Sequence, residues 1–379
     1  MSIYENISIY KIAKRRPFRV FSNAYHSFIS GPKTGKPFKV KFESSTVCNL
    51  KCVMCPLTKG LTRNTGVLKF ENFKKVYDEV KFPYVNLTGL GEPLLNPDIF
   101  KIIKYAKKNK SIVKLDTNAT LLNDEMIKKL IEAEPNFISV SVDGVTKKSY
   151  ESIRVGANFN NVVENLKNLI KYKNSVGSKT EIHLFFVLQN NNIEDLIDFI
   201  KFGDSLGVDT INGNVAISFG KANNNEKVHI NNEKLDKLKK ELEIVKNQVK
   251  CKLNIENIED FINNPNNQEQ RMAEKPCFYP WYNPCITWDG YVVPCDIHCN
   301  NEIVLGNAFE EPFMDVWNNK KARDFRKQMI NKRIGICAKC CVDESYILNK
   351  FKPIYRIPLM SNISRRKQND TNKLHNMQL

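Results

Sequence analysis

Between residues 37 and 220 the chain alternates strand-like and helix-like stretches, and that alternation narrows the possible folds more than any other feature. Residues 38–45, 84–88, 111–117, 137–142, 181–188 and 209–217 read as strands. Between them, 70–80, 159–172 and 193–206 carry the 3.6-residue apolar spacing of amphipathic helices. A further helix is expected from Asn96, with Asn96 as N-cap and Pro97 in the first helical position. Gly177 and Gly207 stand where helices should end. Six such units predict a parallel sheet with right-handed crossovers. They are too few for a closed eight-stranded barrel, so the expected α/β fold is a partial, open (β/α)6 barrel of the TIM type. Chemistry in such folds gathers at the C-terminal ends of the strands.

The remaining segments divide by composition. Residues 1–36 form an N-terminal extension, 37–222 the partial barrel, and 223–270 a polar helical connector with a charged helix over 233–250. Residues 271–350 hold a second cysteine-rich zone, and 351–379 a basic tail expected to be partly disordered. No apolar run reaches the roughly 18–20 residues of a membrane span. The N-terminus lacks a secretory core, so a cytoplasmic protein is expected. Eleven cysteines gathered in two zones then suggest metal binding in a reducing compartment rather than disulfides. The net charge of +17 comes from basic residues that are spread along the chain, and no RNA-motif aromatic pattern accompanies them. Nucleic acid is therefore not the expected partner.

The first cysteine zone is Cys48-x3-Cys52-x2-Cys55, directly after the first strand. Three thiolates can hold three corners of a cubane iron–sulfur cluster, leaving the fourth iron open to a ligand that is not protein. Half of a zinc knuckle is the alternative, but it lacks a nearby fourth ligand. After the second strand comes Gly89-Leu90-Gly91-Glu92-Pro93, whose glycines permit close backbone approach.

Together these two motifs resemble the radical S-adenosylmethionine (SAM) enzymes, over the core from the first strand to the sixth. The resemblance implies a 4Fe–4S cluster on the three cysteines, with SAM chelating its open iron. It implies that the Gly-rich turn contacts the SAM amino group through backbone carbonyls and the Glu92 side chain. Leu90 stands where the family's usual Gly-Gly-Glu-Pro has its first glycine. Thr117-Asn118 and Ser141-Val142-Asp143-Gly144 look like the family segments that face the SAM ribose and carboxylate. Ser141 offers a hydroxyl, and Arg154 either forks onto the carboxylate or lies on a solvated face. Asp143 either touches the ligand or caps the following turn. Met54 holds a position that often packs on adenine. A flavodoxin- or ferredoxin-type electron donor is the partner such an enzyme requires.

The second zone reads Cys277-x12-Gly290-x4-Cys295, then Cys337-x2-Cys340. With Leu305-Gly306-Asn307 and Val316-Trp317-Asn318 between, it resembles the SPASM/twitch extension, which holds auxiliary iron–sulfur clusters. Four ligands suffice for one auxiliary 4Fe–4S cluster, and Cys341 sits too close to Cys340 to extend the pattern. A tetrahedral zinc on the same four thiolates is the alternative. Cys285 and Cys299 could replace a ligand, donate to substrate or act as small hydrophobes, and Cys251 is read as structural. The expected function is a radical SAM oxidoreductase acting on a small metabolite, perhaps sugar-like or phosphorylated, with the auxiliary cluster taking the second electron. Asp296, His298, Glu92 and Arg154 are all conceivable proton acceptors. Modification of a peptide is the second enzyme reading, although 36 residues before the first strand leave no room for a winged-helix recognition module. A zinc- or cluster-stabilised nucleic-acid-binding protein is the alternative outside enzymes.

Overall fold

All six expected strands form, pair in parallel and lie in chain order, and four further strands extend the same sheet beyond both of its edges. The computed structural model describes residues 32–216, 231–265, 273, 276–330 and 332–340. The expectations for most of 1–36, for the tail 351–379 and for Cys341 fall outside them.

The core strands are β1 (Lys39–Glu43), β2 (Tyr84–Thr88), β3 (Ile112–Thr117), β4 (Phe137–Ser141), β5 (Glu181–Leu188) and β6 (Thr210–Val215). Their apolar residues lie in the interior: Val40, Phe42, Val85, Leu87, Val113, Leu115, Ile138 and Val140 are fully buried. Helices α1 (Phe70–Val80), α2 (Ile99–Lys108), α3 (Asp124–Glu132), α4 (Lys147–Ile153), α5 (Phe159–Ser175) and α6 (Leu196–Leu206) fill the crossovers. Local chemistry sets their ends. The side chains of Asn123 and Asn158 accept from Met126 N and Asn161 N, while Thr146 and Ser149 close a reciprocal capping box on α4. Gly207 closes α6 at φ 73°, and Gly177 follows α5 at φ 64°.

One helix start differs from expectation. Pro93–Leu95 forms a 3-10 turn, and α2 begins only at Ile99 with Asp98 as its N-cap. Asn96 is drawn away from capping α2 by tertiary contacts. Its Nδ2 donates to Ser44 O and Leu68 O, both at 2.8 Å, while Oδ1 accepts from Asp98 N at 2.9 Å.

The stretch expected as a connector contains more than the charged helix α7 (Asn232–Lys246). A seventh strand, β7 (Lys252–Asn254), pairs in parallel with β6, and α8 (Glu256–Asn263) packs against β6. Three residues are too few to show a period, which is why β7 escapes a pattern search.

At the opposite edge, the cysteine-rich region joins the barrel sheet. After α9 (Tyr279–Tyr282), β8 (Cys285–Ile286) pairs in parallel with β1, aligning Lys41 with Cys285. β9 (Tyr291–Val293) and β10 (Gly306–Asn307) continue antiparallel, followed by α10 (Phe313–Asn318) and α11 (Lys320–Met329). Arg326 on α11 is almost fully buried, donates to the carbonyls of Pro280, Trp317 and Pro32, and stacks on the Trp317 ring.

A second guanidinium ties the loop after the first cysteine motif to this added hairpin. Arg63 Nη1 donates to Glu43 Oε2 at 2.8 Å and Nη2 to Oε1, while Nε donates to Cys299 O at 2.6 Å. Glu43 also accepts from Trp288 N. Both partners are less than a tenth exposed, so removing one leaves a buried charge without its counterion. Glu43→Ala is expected to cost about 3–5 kcal/mol, seen as a lower urea midpoint, against about 0–1 kcal/mol for an exposed pair.

Candidate active site

The chain leaving β1 is laced to the Gly-rich turn that leaves β2. Gly91 N donates to Ser45 O at 3.0 Å and Glu92 N to Val47 O at 2.9 Å. A Cβ on Gly91 would stand 2.4 Å from Val47 O, and one on Gly89 would stand 2.8 Å from Ser45 O. Both glycines are therefore required by close backbone contact. Leu90 between them lines the cavity described below. Gly91→Ala is expected to push the turn off the strand leading to Cys48 and weaken SAM binding at least tenfold, about 1.4 kcal/mol, read by equilibrium dialysis.

The cysteine loop is pinned from its other side by the end of α4. Lys51 N donates to Val155 O and Val53 N to Ile153 O, at 2.9 and 3.0 Å. This brings Arg154 to the loop, where Nη1 lies 3.9 Å from Cys52 Sγ. Arg154 is oriented by Asp143, whose Oδ2 accepts from Nε at 2.6 Å while Oδ1 accepts from Val187 N at 2.8 Å. Burial opposes the guanidinium charge, but Asp143, Cys52 and Tyr150 together outweigh it and raise the pKa of Arg154. The solvated-face alternative for Arg154 does not hold: its side chain is 11% exposed.

Two of the residues expected to touch the cofactor, Asp143 and Pro93, do not line the cavity described below. Asp143 is fully buried behind Arg154, so it is a positioning residue. Pro93 is buried in the 3-10 turn. Glu92 lines the cavity, but its oxygens already accept from Thr117 Oγ1, Asn118 N and Leu94 N at 2.7, 2.7 and 3.1 Å. Its carboxylate thereby anchors the ends of two strands. Asn118 in turn donates to Asn49 Oδ1 at 3.0 Å, with Cys48 Sγ at 4.0 Å.

These elements enclose a cavity of about 340 Å³ at the C-terminal ends of the strands. Cys48, Cys52, Cys55, Met54, Gly89, Gly91, Glu92, Asn118, Ser141 and Arg154 all line it. Phe185 and Val187 on β5 and Asn214–Ala216 at the end of β6 complete the wall. Sequence reasoning missed this second group, although its position at strand C-termini was the available signal. Burial raises the pKa of all three thiols, that of Cys52 to about 11 despite Arg154. Binding of a metal cluster would have to displace those protons.

A second cavity of about 200 Å³ adjoins the first, and Pro56, Thr88, Gly89 and Leu90 line both. Its other walls are Lys41 from β1, Cys285 from β8, and Glu43, Arg63, Asp296, His298 and Cys299. Lys41 and Asp296 form an ion pair there, and Asp296 keeps half of its side chain exposed. Of the conceivable proton acceptors, Asp296 and His298 thus face the second cavity, Glu92 and Arg154 the first. Burial pulls the His298 imidazole down to about 4 and pushes the Cys299 thiol up to about 12.

Beyond this cavity, Cys277, Cys295, Cys337 and Cys340 gather in one apolar cluster around Trp281, Phe325 and Met329. Burial, Asp296 and the other three thiols all raise the pKa of Cys295. Cys285 and Cys299 lie outside this foursome, in the cavity wall. Among the described residues, no three His, Cys, Asp or Glu side chains are gathered as ligands of a single metal ion.

Comparison with known proteins agrees with this geometry. Residues 42–200 match the radical SAM superfamily, and 277–341 match the SPASM iron–sulfur cluster-binding domain. The chain carries a radical SAM domain followed by a SPASM domain. Its cofactors are SAM and 4Fe–4S clusters. One radical SAM relative is the tungsten-containing aldehyde ferredoxin oxidoreductase cofactor-modifying protein of Pyrococcus furiosus, 26% identical over 80% of this chain and 87% of that one. Another is the mycofactocin maturase MftC of Mycobacterium ulcerans, 28% identical over 45% of each chain. Among solved structures, SuiB of Streptococcus suis bound to SAM has the same fold, with a TM-score of 0.64 at 18% identity over 87% of this chain and 77% of that one. The protein anSMEcpe with bound SAM gives 0.59 at 20% identity, over 80% and 83%. Among the described residues, no helix is long and apolar enough to cross a membrane.

Proposed function

We propose that this radical SAM chain is an oxidoreductase that takes two electrons from a polar C–H group of a small metabolite. In this reading Cys48, Cys52 and Cys55 hold the SAM-binding cluster, and Cys277, Cys295, Cys337 and Cys340 hold one auxiliary cluster. When bound, these cofactors supply a 5′-deoxyadenosyl radical that takes a substrate hydrogen and an acceptor for the second electron. The chain's own residues position and shield that chemistry. Arg154, held by Asp143, offers a cationic fork to the SAM carboxylate. The backbone of the Gly89–Gly91 turn, with Asn118 and Ser141, offers polar contacts along the same cavity. Met54, Leu90, Phe185 and Val187 exclude water from it.

The observation that carries the reading is the shared wall. The second cavity touches the first along Thr88, Gly89 and Leu90, and His298, which also lines the second, contacts the proposed auxiliary thiol Cys337. A substrate group there would lie between the site that starts the radical and the site that accepts an electron. Lys41, Asp296, Glu43 and Arg63 suit a polar or charged group in that cavity. Peptide modification is the second reading. It is favoured by the maturase relatives and by SuiB, which has also been solved bound to its precursor peptide SuiA.

The test is anaerobic incubation of reduced protein with SAM and deuterated metabolite extracts or peptides, following deuterium into 5′-deoxyadenosine. Label from a metabolite supports the first reading, and label only from peptide replaces it with the second. A colourless, zinc-loaded protein that binds RNA and leaves SAM intact would overturn both. Turnover is expected to require a flavodoxin- or ferredoxin-type donor, or a chemical substitute.

A further inference from the structure

We infer that His298 tunes the auxiliary cluster from the cavity side: its Nε2–H donates to the Cys337 sulfur and raises the reduction potential of the cluster held there. The inference rests on the proposed assignment of Cys337 as a cluster ligand.

His298 Nε2 lies 3.5 Å from Cys337 Sγ, within the reach of a hydrogen bond to sulfur. The two residues are 39 apart in sequence, so tertiary structure alone brings them together. The ring is 1% exposed, and its backbone is tied on both sides. His298 N donates to Cys295 O at 3.2 Å, and His298 O accepts from Asn301 N at 3.0 Å. Phe325 packs edge-on against the imidazole, with centroids 5.8 Å apart and an interplanar angle of 81°. These contacts hold the imidazole against the sulfur.

The second nitrogen makes the position unlike ordinary packing. Nδ1 is buried and has no protein hydrogen-bond partner, yet the ring lines the second cavity beside Lys41, Asp296 and Cys285. A buried polar atom without a partner is costly, so a purely apolar role would be better served by Leu or Phe. In a neutral imidazole one nitrogen donates and the other accepts. With the N–H committed to sulfur, Nδ1 is left with its lone pair. An N–H donated to a cluster thiolate stabilises the reduced, more negative state, and such bonds are among the main determinants of cluster potential. A single side chain therefore touches both the proposed substrate space and the proposed electron acceptor.

The experiment is an EPR-monitored redox titration of anaerobically reconstituted holoenzyme, with iron analysis of each variant. His298→Leu is expected to keep about eight irons, to move the auxiliary cluster to a more negative potential, and to leave the SAM-binding cluster unmoved. The wild-type reduced cluster should show a proton coupling in H2O that is lost on transfer to D2O and is absent in His298→Leu. His298→Gln, which can present an N–H to the same sulfur, should restore much of the potential. An unshifted potential in His298→Leu at full iron would overturn the proposal, as would equal loss of iron in the Leu and Gln variants, which would mark a ligand. Full iron in Cys337→Ala would instead sink the ligand assignment beneath it. Unchanged product formation in Cys295→Ala would remove the electron-acceptor role without touching the potential measurement.

Discussion

Cys52→Ala is expected to abolish reductive SAM cleavage and remove about four irons per chain, leaving the protein folded. Cys52 lies between Cys48 and Cys55 on a loop clamped at both ends, by the Gly91–Ser45 and Glu92–Val47 hydrogen bonds on one side and Val53–Ile153 on the other. The clamps are backbone bonds that do not involve the Cys52 thiol, so its loss should leave the loop in place. Among the described residues no other cysteine lines this cavity, so none is placed there to replace the missing ligand. Measured 5′-deoxyadenosine should fall to background, while the circular dichroism spectrum and urea midpoint stay near wild type. Retained cleavage at full iron would refute the assignment of this loop.

Cys295→Ala should separate the two halves of the reaction. SAM cleavage continues, about four irons are lost, and oxidised product falls at least a hundredfold, about 2.8 kcal/mol. Cys295 sits in the apolar cluster with Cys277, Cys337 and Cys340, and it does not line the SAM cavity. Arg63, Glu43 and the β1–β8 pairing do not depend on it. The barrel and its first cluster should therefore survive the change. The measurement is the ratio of product to 5′-deoxyadenosine. A ratio that stays at the wild-type value would show that the second electron leaves by another route.

How far residues reveal this site depends on whether their partners are close in sequence. The three thiols of the first loop and the Gly89–Pro93 turn are local motifs, and both line the cavity they were expected to build, except for buried Pro93. The six strands were readable because each is long enough to show its apolar spacing between helices. Asp143 could not be distinguished from a ligand residue, because its role depends on Arg154 and on Val187, 44 residues away. Asn96 looked like an N-cap until Ser44 and Leu68 claimed its side chain. β7 and β8 have three and two residues, too few for any period. His298 carries no motif at all, and its contact with Cys337 exists only in the fold.

The β1–β8 pairing has a consequence for how such chains can vary. Cys285 faces Lys41 through a parallel ladder, so the cysteine-rich hairpin is hydrogen-bonded to the barrel's first strand. Its distance from the SAM cavity is then set by strand spacing, not by the residues between β6 and β8. Those residues can lengthen, shorten or acquire new surface loops while the gap that the proposed electron transfer would cross stays constant. Selection on substrate size and selection on electron-transfer rate thus act on different parts of the molecule.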